Sequence, residues 1–246
     1  LPIEWFCKQF IPGAATDYWA CGREAGIYYF GQSAWDARGV TLRNAIDLDR
    51  FGYRPEVRAK MRAEYGLNDK LVVGCVARLM EALLKELAAQ AVRTGRLAEK
   101  DGSMFCELRA ELEAKAARLG IAQDVKFLGV QSDTSVWYQA MDVFVMPSLF
   151  EGLPVVGMEA QASGLPCVFS TGVTEEVLLR PDSCRISLEQ PDEAWAAVLK
   201  DADRNLPDRA QAAEQVRAAG YDIRQETLRL QQLYTGLIAE RGAAHA

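Results

Sequence analysis

Continuous apolar runs alternate with helix-patterned stretches along this chain, and that alternation limits the fold more than any other feature. Leu71-Val72-Val73-Gly74-Cys75-Val76-Ala77, Val125-Lys126-Phe127-Leu128, Asp142-Val143-Phe144-Val145-Met146 and Pro166-Cys167-Val168-Phe169-Ser170 read as strands. Runs without polar alternation suit strands covered on both faces. Between them the spacing predicts helices from Glu107 to Leu119, Ser132 to Ala140 and Val155 to Ser163, the last stopped by Gly164. Strands alternating with helices build a parallel sheet with right-handed crossovers. The expected architecture is therefore α/β, a Rossmann-like parallel sheet with helices on both faces. Ligands of such sheets sit beyond the carboxyl ends of the strands.

Upstream, Arg23 to Phe30 reads as a short helix ended by Gly31, and Val40-Thr41-Leu42-Arg43 as a strand running into a turn at Asn44 to Asp47. Pro55 to Tyr65 has helical spacing, with proline in the first turn and Gly66 as the stop. Residues 1–39 do not read as a domain. After Asp192 three helical pieces are expected, about Asp192–Ala202, Pro207–Ala219 and Asp222–Arg241, packing on the sheet edge. The expected division is a leading segment over 1–43, the sheet domain over 44–205, and helices with a tail over 206–246.

A net charge of -6 and the lack of a dense Lys/Arg block argue against a nucleic-acid partner. The six cysteines, at 7, 21, 75, 106, 167 and 184, show no C-x-x-C spacing. Cys75 and Cys167 fall inside apolar runs, which suits reduced core thiols and a cytoplasmic location. The single histidine, His245, lies in a small-residue tail and offers no credible catalytic group. No apolar stretch is long enough to cross a membrane, and no signal peptide is evident. A start at Leu1 reads as the interior of a longer protein.

The candidate site is the stretch from Pro147 to Ala160, which follows the third run. It places Glu151 before a helix start and Glu159 in its second turn. Helix starts present backbone N–H groups and a positive dipole end, so they attract phosphate. Carboxylates can instead accept both protons of a vicinal diol. Phosphate with diols on either side describes a nucleotide sugar. Pro154 fits the first helical position, leaving the amides of Leu153, Val155 and Val156 for a ligand, and Gly152 permits close approach. Arg78, directly after the first run, can offset diphosphate charge. Spacing alone leaves other readings open: an acidic pair stabilising a helix dipole, and a solvated surface arginine.

The sequence resembles the retaining GT-B glycosyltransferases of family 4, especially those making capsular and exopolysaccharides. The likeness rests on Asp124-Val125-Lys126-Phe127-Leu128-Gly129-Val130 and on Ala140 through Val156, and it continues through Glu159-Ala160-Gln161-Ala162-Ser163-Gly164-Leu165-Pro166-Cys167-Val168. Asn44 to Phe51 resembles the family's hinge segment and Asp17 to Gly31 the end of its first domain. The resemblance implies a donor-binding half of a hexosyltransferase. Glu151 would contact the donor sugar and face the reacting carbon, and Glu159 would hold the ribose hydroxyls. The amides from Gly152 to Val156 and Arg78 would hold the diphosphate, and backbone near Val130 would line the base pocket. It implies no metal and no cofactor beyond the nucleotide diphosphate sugar as donor. The implied acceptor is a carbohydrate or lipid-linked acceptor, the latter bringing peripheral membrane association.

Two departures stand out. The family's first Rossmann domain is missing apart from its last elements. From Met80 to Cys106 the likeness is lost, with Leu83 where the family has lysine and Lys85 two positions late. Two positions on a helix turn a side chain by roughly 200°. A frameshift, or a divergent loop-and-helix replacement, would explain so sharp a loss and recovery. The competing readings are a non-catalytic nucleotide-binding remnant or interaction domain, and a nucleotide-sugar epimerase.

Overall fold

The computed structural model describes residues 10–11, 13–76, 106–204 and 208–244. Arg78 and the unmatched stretch around Leu83 and Lys85 lie outside the described residues, as does His245. In chain order the described elements are β1 (Tyr18–Ala20), α1 (Arg23–Phe30), α2 (Gln32–Arg38), β2 (Gly39–Thr41), α3 (Leu48–Phe51), α4 (Pro55–Glu64), β3 (Val73–Gly74), α5 (Cys106–Arg118), α6 (Ser135–Ala140), β4 (Val143–Met146), α7 (Val155–Ala162), β5 (Cys167–Ser170), β6 (Cys184–Ile186), α8 (Asp192–Arg204), α9 (Ala212–Ala218) and α10 (Ile223–Ala244). Single 3-10 turns occupy Glu175–Val177 and Arg209–Gln211. Compactness divides the chain into Leu48–Ala219 and a second unit made of Leu1–Asp47 with Gly220–Ala246.

In the larger unit β3, β4, β5 and β6 form a parallel sheet in that order. Strand alternation sends β4 side chains to opposite faces. Val143 and Val145 join Val73, Cys75 and Val168 under Trp195 and Leu199 of α8. Phe144 faces the other way, 6.1 Å from the Tyr138 ring of α6 and 6.2 Å from Phe169 of β5. Phe144, Phe169 and Trp195 are all fully buried, and each such side chain contributes roughly 1.5–3 kcal/mol. Helices thus cover both faces, as the unbroken apolar runs require. Gly157 lets α7 lie against β5, since a Cβ there would come 2.8 Å from Phe169 Cε1.

Buried Asp142 ties this sheet to α4. It pairs with Arg58 and, at 2.9 Å, with Arg62, and it accepts the Val72 N–H at 2.7 Å. Arg62 also donates to the carbonyls of Ala140, Leu67 and Lys70. The carboxylate therefore fixes the starts of β3 and β4 together. Across the unit, Arg209 donates to the carbonyls of Ser163, Met141 and Tyr138. Burial, then the charge of Arg58, lowers its guanidinium to about 9.

In the smaller unit β1 and β2 run parallel, with Trp19 opposite Val40. Tyr18 stacks on Phe30 at 4.5 Å, and Phe30 on buried Trp35 at 6.1 Å. Ile46 takes the Tyr221 carbonyl and offers its own to the Ile223 N–H, both at 3.0 Å. Glu226 accepts the Arg43 N–H at 2.8 Å. These bonds place α10 with the leading residues, so the chain divides at 47 and 219 against the expected 43 and 205. Trp19 of β1 also meets Tyr234 of α10 edge-on, with ring centroids 5.2 Å apart.

Three expected elements differ. Residues 125–128 form no strand: among the described residues nothing ladders against them, and Val125 packs beside the sheet core and against Ala116 and Ile121. A strand needs a ladder partner, and among the described residues these positions have none. The helix expected from Ser132 begins at Ser135, because Asp133 accepts the Ser135 N–H at 3.0 Å and holds a turn there. Pro154 precedes its helix instead of opening it.

Candidate functional site

The loops leaving the carboxyl ends of β4 and β5 are stitched together. Glu151 donates its N–H to the Gly172 carbonyl at 3.0 Å and accepts the Thr174 N–H at 3.3 Å, forming a parallel bridge with Val173. The Ser170 hydroxyl donates to the Ser148 carbonyl. Residue 172 must be glycine, since a Cβ there would overlap the Leu149 carbonyl and lie 2.6 Å from the Ser148 oxygen. Arg185 of β6 steadies the second loop, donating to the Thr171 carbonyl at 2.9 Å and pairing with Glu175 at 2.7 Å. The Glu151 residue itself is exposed, as is Gly152.

Pro154 has φ −75 and ψ 121, so its backbone is extended while its carbonyl accepts the Gly157 N–H at 3.0 Å. That is an N-cap position, one residue before the first helical residue, Val155. No side chain caps α7 and its first turn holds no acid. First-turn amides have no intrahelical acceptor, so those of Val155 and Val156 point away from the helix body. Leu153 and Val156 are half-buried, Pro154 is buried, and Val155 is 40% exposed. Nothing lies within 4 Å of a Cβ built on Gly152. The space beside Gly152 is thus open, and the helix begins one residue later than its proline suggests.

Glu159 lies in the second turn of α7 and is half-buried. Its Oε2 accepts the hydroxyl of fully buried Tyr138 at 2.8 Å. Burial first, then the Glu159 charge, holds the Tyr138 phenol well above its ordinary value. Val130, 64% exposed, follows Gly129 at φ 65. Gln131 is held there by the Leu128 carbonyl and by Trp137 Nε1. Sequence reasoning missed Tyr138, Ser170 and Gly172. Gly172, directly after an apolar run, carried a usable signal; Tyr138 meets Glu159 only through the packing of α6 on α7.

The profile of the family described as glycosyl transferases, group 1, matches residues 70–202, more than half of the chain. The chain belongs to the group 1 glycosyltransferases. This glycosyltransferase chain is 37% identical over 243 residues to the putative glycosyltransferase EpsF of Bacillus subtilis, covering 92% of this chain and 61% of EpsF. It is 36% identical over 155 residues to the GDP-mannose-dependent alpha-(1-6)-phosphatidylinositol monomannoside mannosyltransferase of Mycolicibacterium smegmatis, covering 56% of this chain and 40% of that enzyme. Its fold matches that of Anabaena HepE, crystallised with UDP and glucose, at a TM-score of 0.77 and 19% identity, covering 94% of this chain and 66% of HepE. The chain therefore spans less than two thirds of the length of EpsF. The α/β fold with a parallel sheet and flanking helices, expected from the sequence, is the one observed. Among the described residues no helix is long and apolar enough to cross a membrane.

Proposed function

We propose that the chain is the donor-binding half of a retaining family 4 hexosyltransferase using a nucleotide diphosphate sugar for polysaccharide or glycolipid synthesis. The observation that carries this reading is the placement of Glu151 and Glu159 on either side of an uncapped α7 start, beyond the carboxyl end of β4. The amides of Val155 and Val156, with Arg78, would hold the diphosphate and stabilise its charge as the glycosyl bond breaks. Glu151 would meet the sugar hydroxyls and face the anomeric carbon. Glu159 would take the ribose diol, and the exposed backbone at Val130 would border the base. Stabilisation of the leaving group by protein dipoles and cations asks for no metal and no cofactor besides the donor. The acceptor would be a carbohydrate or a lipid-linked glycan, read outside this site. The reading includes a cytoplasmic site of action, with peripheral membrane contact where the acceptor is lipid-linked.

Calorimetric titration with UDP, GDP and their sugars tests this. Binding of one series is expected, with Glu159→Ala weakening it by about tenfold or more, the scale of a charge-assisted hydrogen bond. No nucleotide binding up to millimolar concentration would leave a remnant or an interaction domain as the better description.

A further inference from the structure

Tyr138 has an unusual setting for a buried phenol. Its ring is fully buried between Phe51 and Phe144, both at 6.1 Å, and its carbonyl is held by Arg209 Nη2 at 3.0 Å. The hydroxyl therefore has little freedom, and it donates to Glu159 Oε2 at 2.8 Å. The Glu159 backbone is tied as well, since its carbonyl accepts the Ser163 N–H at 3.0 Å. The Ser163 hydroxyl donates to the Phe51 carbonyl at 2.7 Å. Ring, helix turn and carboxylate form one rigid block across α3, α6 and α7. A carboxylate offers about four lone-pair sites, so it can accept from more than one hydroxyl at once.

We propose that Tyr138 is a positioning residue, its buried hydroxyl fixing one oxygen of Glu159 so that this carboxylate meets the vicinal diol of a ligand ribose in a set orientation. The inference rests on the donor-site reading above and deepens it: discrimination for a ribose over a deoxyribose arises from a side chain that never touches the ligand. A tyrosine on a packed ring is suited to this task, because its hydroxyl is aimed by the core and not by a flexible stem. Preorganised hydrogen bonding of this kind favours the ligand that completes it.

The test compares UDP and GDP with their 2′-deoxy counterparts by calorimetry, on the unaltered chain, Tyr138→Phe, Glu159→Gln and the double variant. The unaltered chain is expected to prefer the ribonucleotide, and Tyr138→Phe to cut that preference by about fivefold or more while shifting deoxynucleotide affinity by less than about twofold. Glu159→Gln should abolish the preference, and Tyr138→Phe should add nothing in its background, as a double-mutant cycle requires for a residue acting through another. Equal weakening of both nucleotides by Tyr138→Phe, or an undiminished preference, overturns the proposal. Absence of any nucleotide binding to the unaltered chain removes the donor-site reading first, and this inference with it. Binding of both nucleotides without ribose preference overturns this inference alone. Should Tyr138→Phe lack a cooperative thermal transition, a crystal of the unaltered chain with UDP decides. Glu159 meeting the ribose while still bonded to Tyr138 supports the proposal, and Glu159 turned away from the phenol overturns it.

Discussion

Glu151 and Glu159 border the same helix start but are held by opposite means. Glu151 is fixed through its backbone, which ladders with Gly172 and Thr174, while the residue is left exposed. Glu159 is fixed through its side chain, by a buried tyrosine, on a helix packed against the sheet. The first arrangement places a carboxylate accurately along the chain and leaves its tip adjustable. The second locks the tip. An acid that must follow changing charge at a reacting carbon suits the first, and an acid that recognises a fixed diol suits the second.

The sharpest way to break this contrast is Glu151→Gln. With the backbone bridge intact, stability should change by less than about 0.5 kcal/mol, as for exposed sites. The kcat for transfer or donor hydrolysis should fall on the order of 10²-fold, the scale of a lost electrostatic stabiliser. A variant that keeps full turnover would deny Glu151 its role. Gly172→Ala attacks the backbone side of the comparison. Its Cβ would meet the Ser148 and Leu149 carbonyls, so unfolding free energy should drop by about 1–3 kcal/mol, read by thermal or urea melts.

A pH measurement sharpens the Glu159 side. The folded phenol of Tyr138 keeps its proton above the ordinary value of 10.0, where the unfolded phenol loses it. The folded state then binds more protons than the unfolded one, so stability falls as pH rises past 10.0, by up to about 1.4 kcal/mol per pH unit. Below 10.0 the contribution is fully present. In Tyr138→Phe the fall should be smaller by that amount, the remainder belonging to groups such as the buried Cys167 thiol, which burial also pushes up, and an unchanged slope would deny Tyr138 its share. The smallest effect belongs to Phe150→Ala: at 87% exposure the ring adds no core contact, and melts should shift by less than about 0.5 kcal/mol.

Where residues act on their sequence neighbours, the chain was readable in advance. The apolar runs at Asp142–Met146 and Pro166–Ser170 became β4 and β5, and Gly66 and Gly164 stop their helices at positive φ. The unreadable parts depend on distant partners. Val125–Leu128 has the composition of a strand, yet a strand exists only with a ladder beside it. The short β6 (Cys184–Ile186) was overlooked for the converse reason: its order comes from pairing with β5, not from its own pattern. The site divides similarly. Glu151, Gly152 and Glu159 announce themselves by spacing within one segment. Tyr138 reaches Glu159 across 21 positions through helix packing, and no local pattern encodes that.

The stitching of Glu151 to the loop after β5 has a kinetic corollary. Two amides in separate loops, those of Glu151 and Thr174, close the same bridge, so neither opens to solvent alone. Their deuterium uptake should run at a common rate, and anything that quiets one loop should slow exchange in the other. A carboxylate anchored this way shares its breathing with a segment that bears no part of the recognised motif.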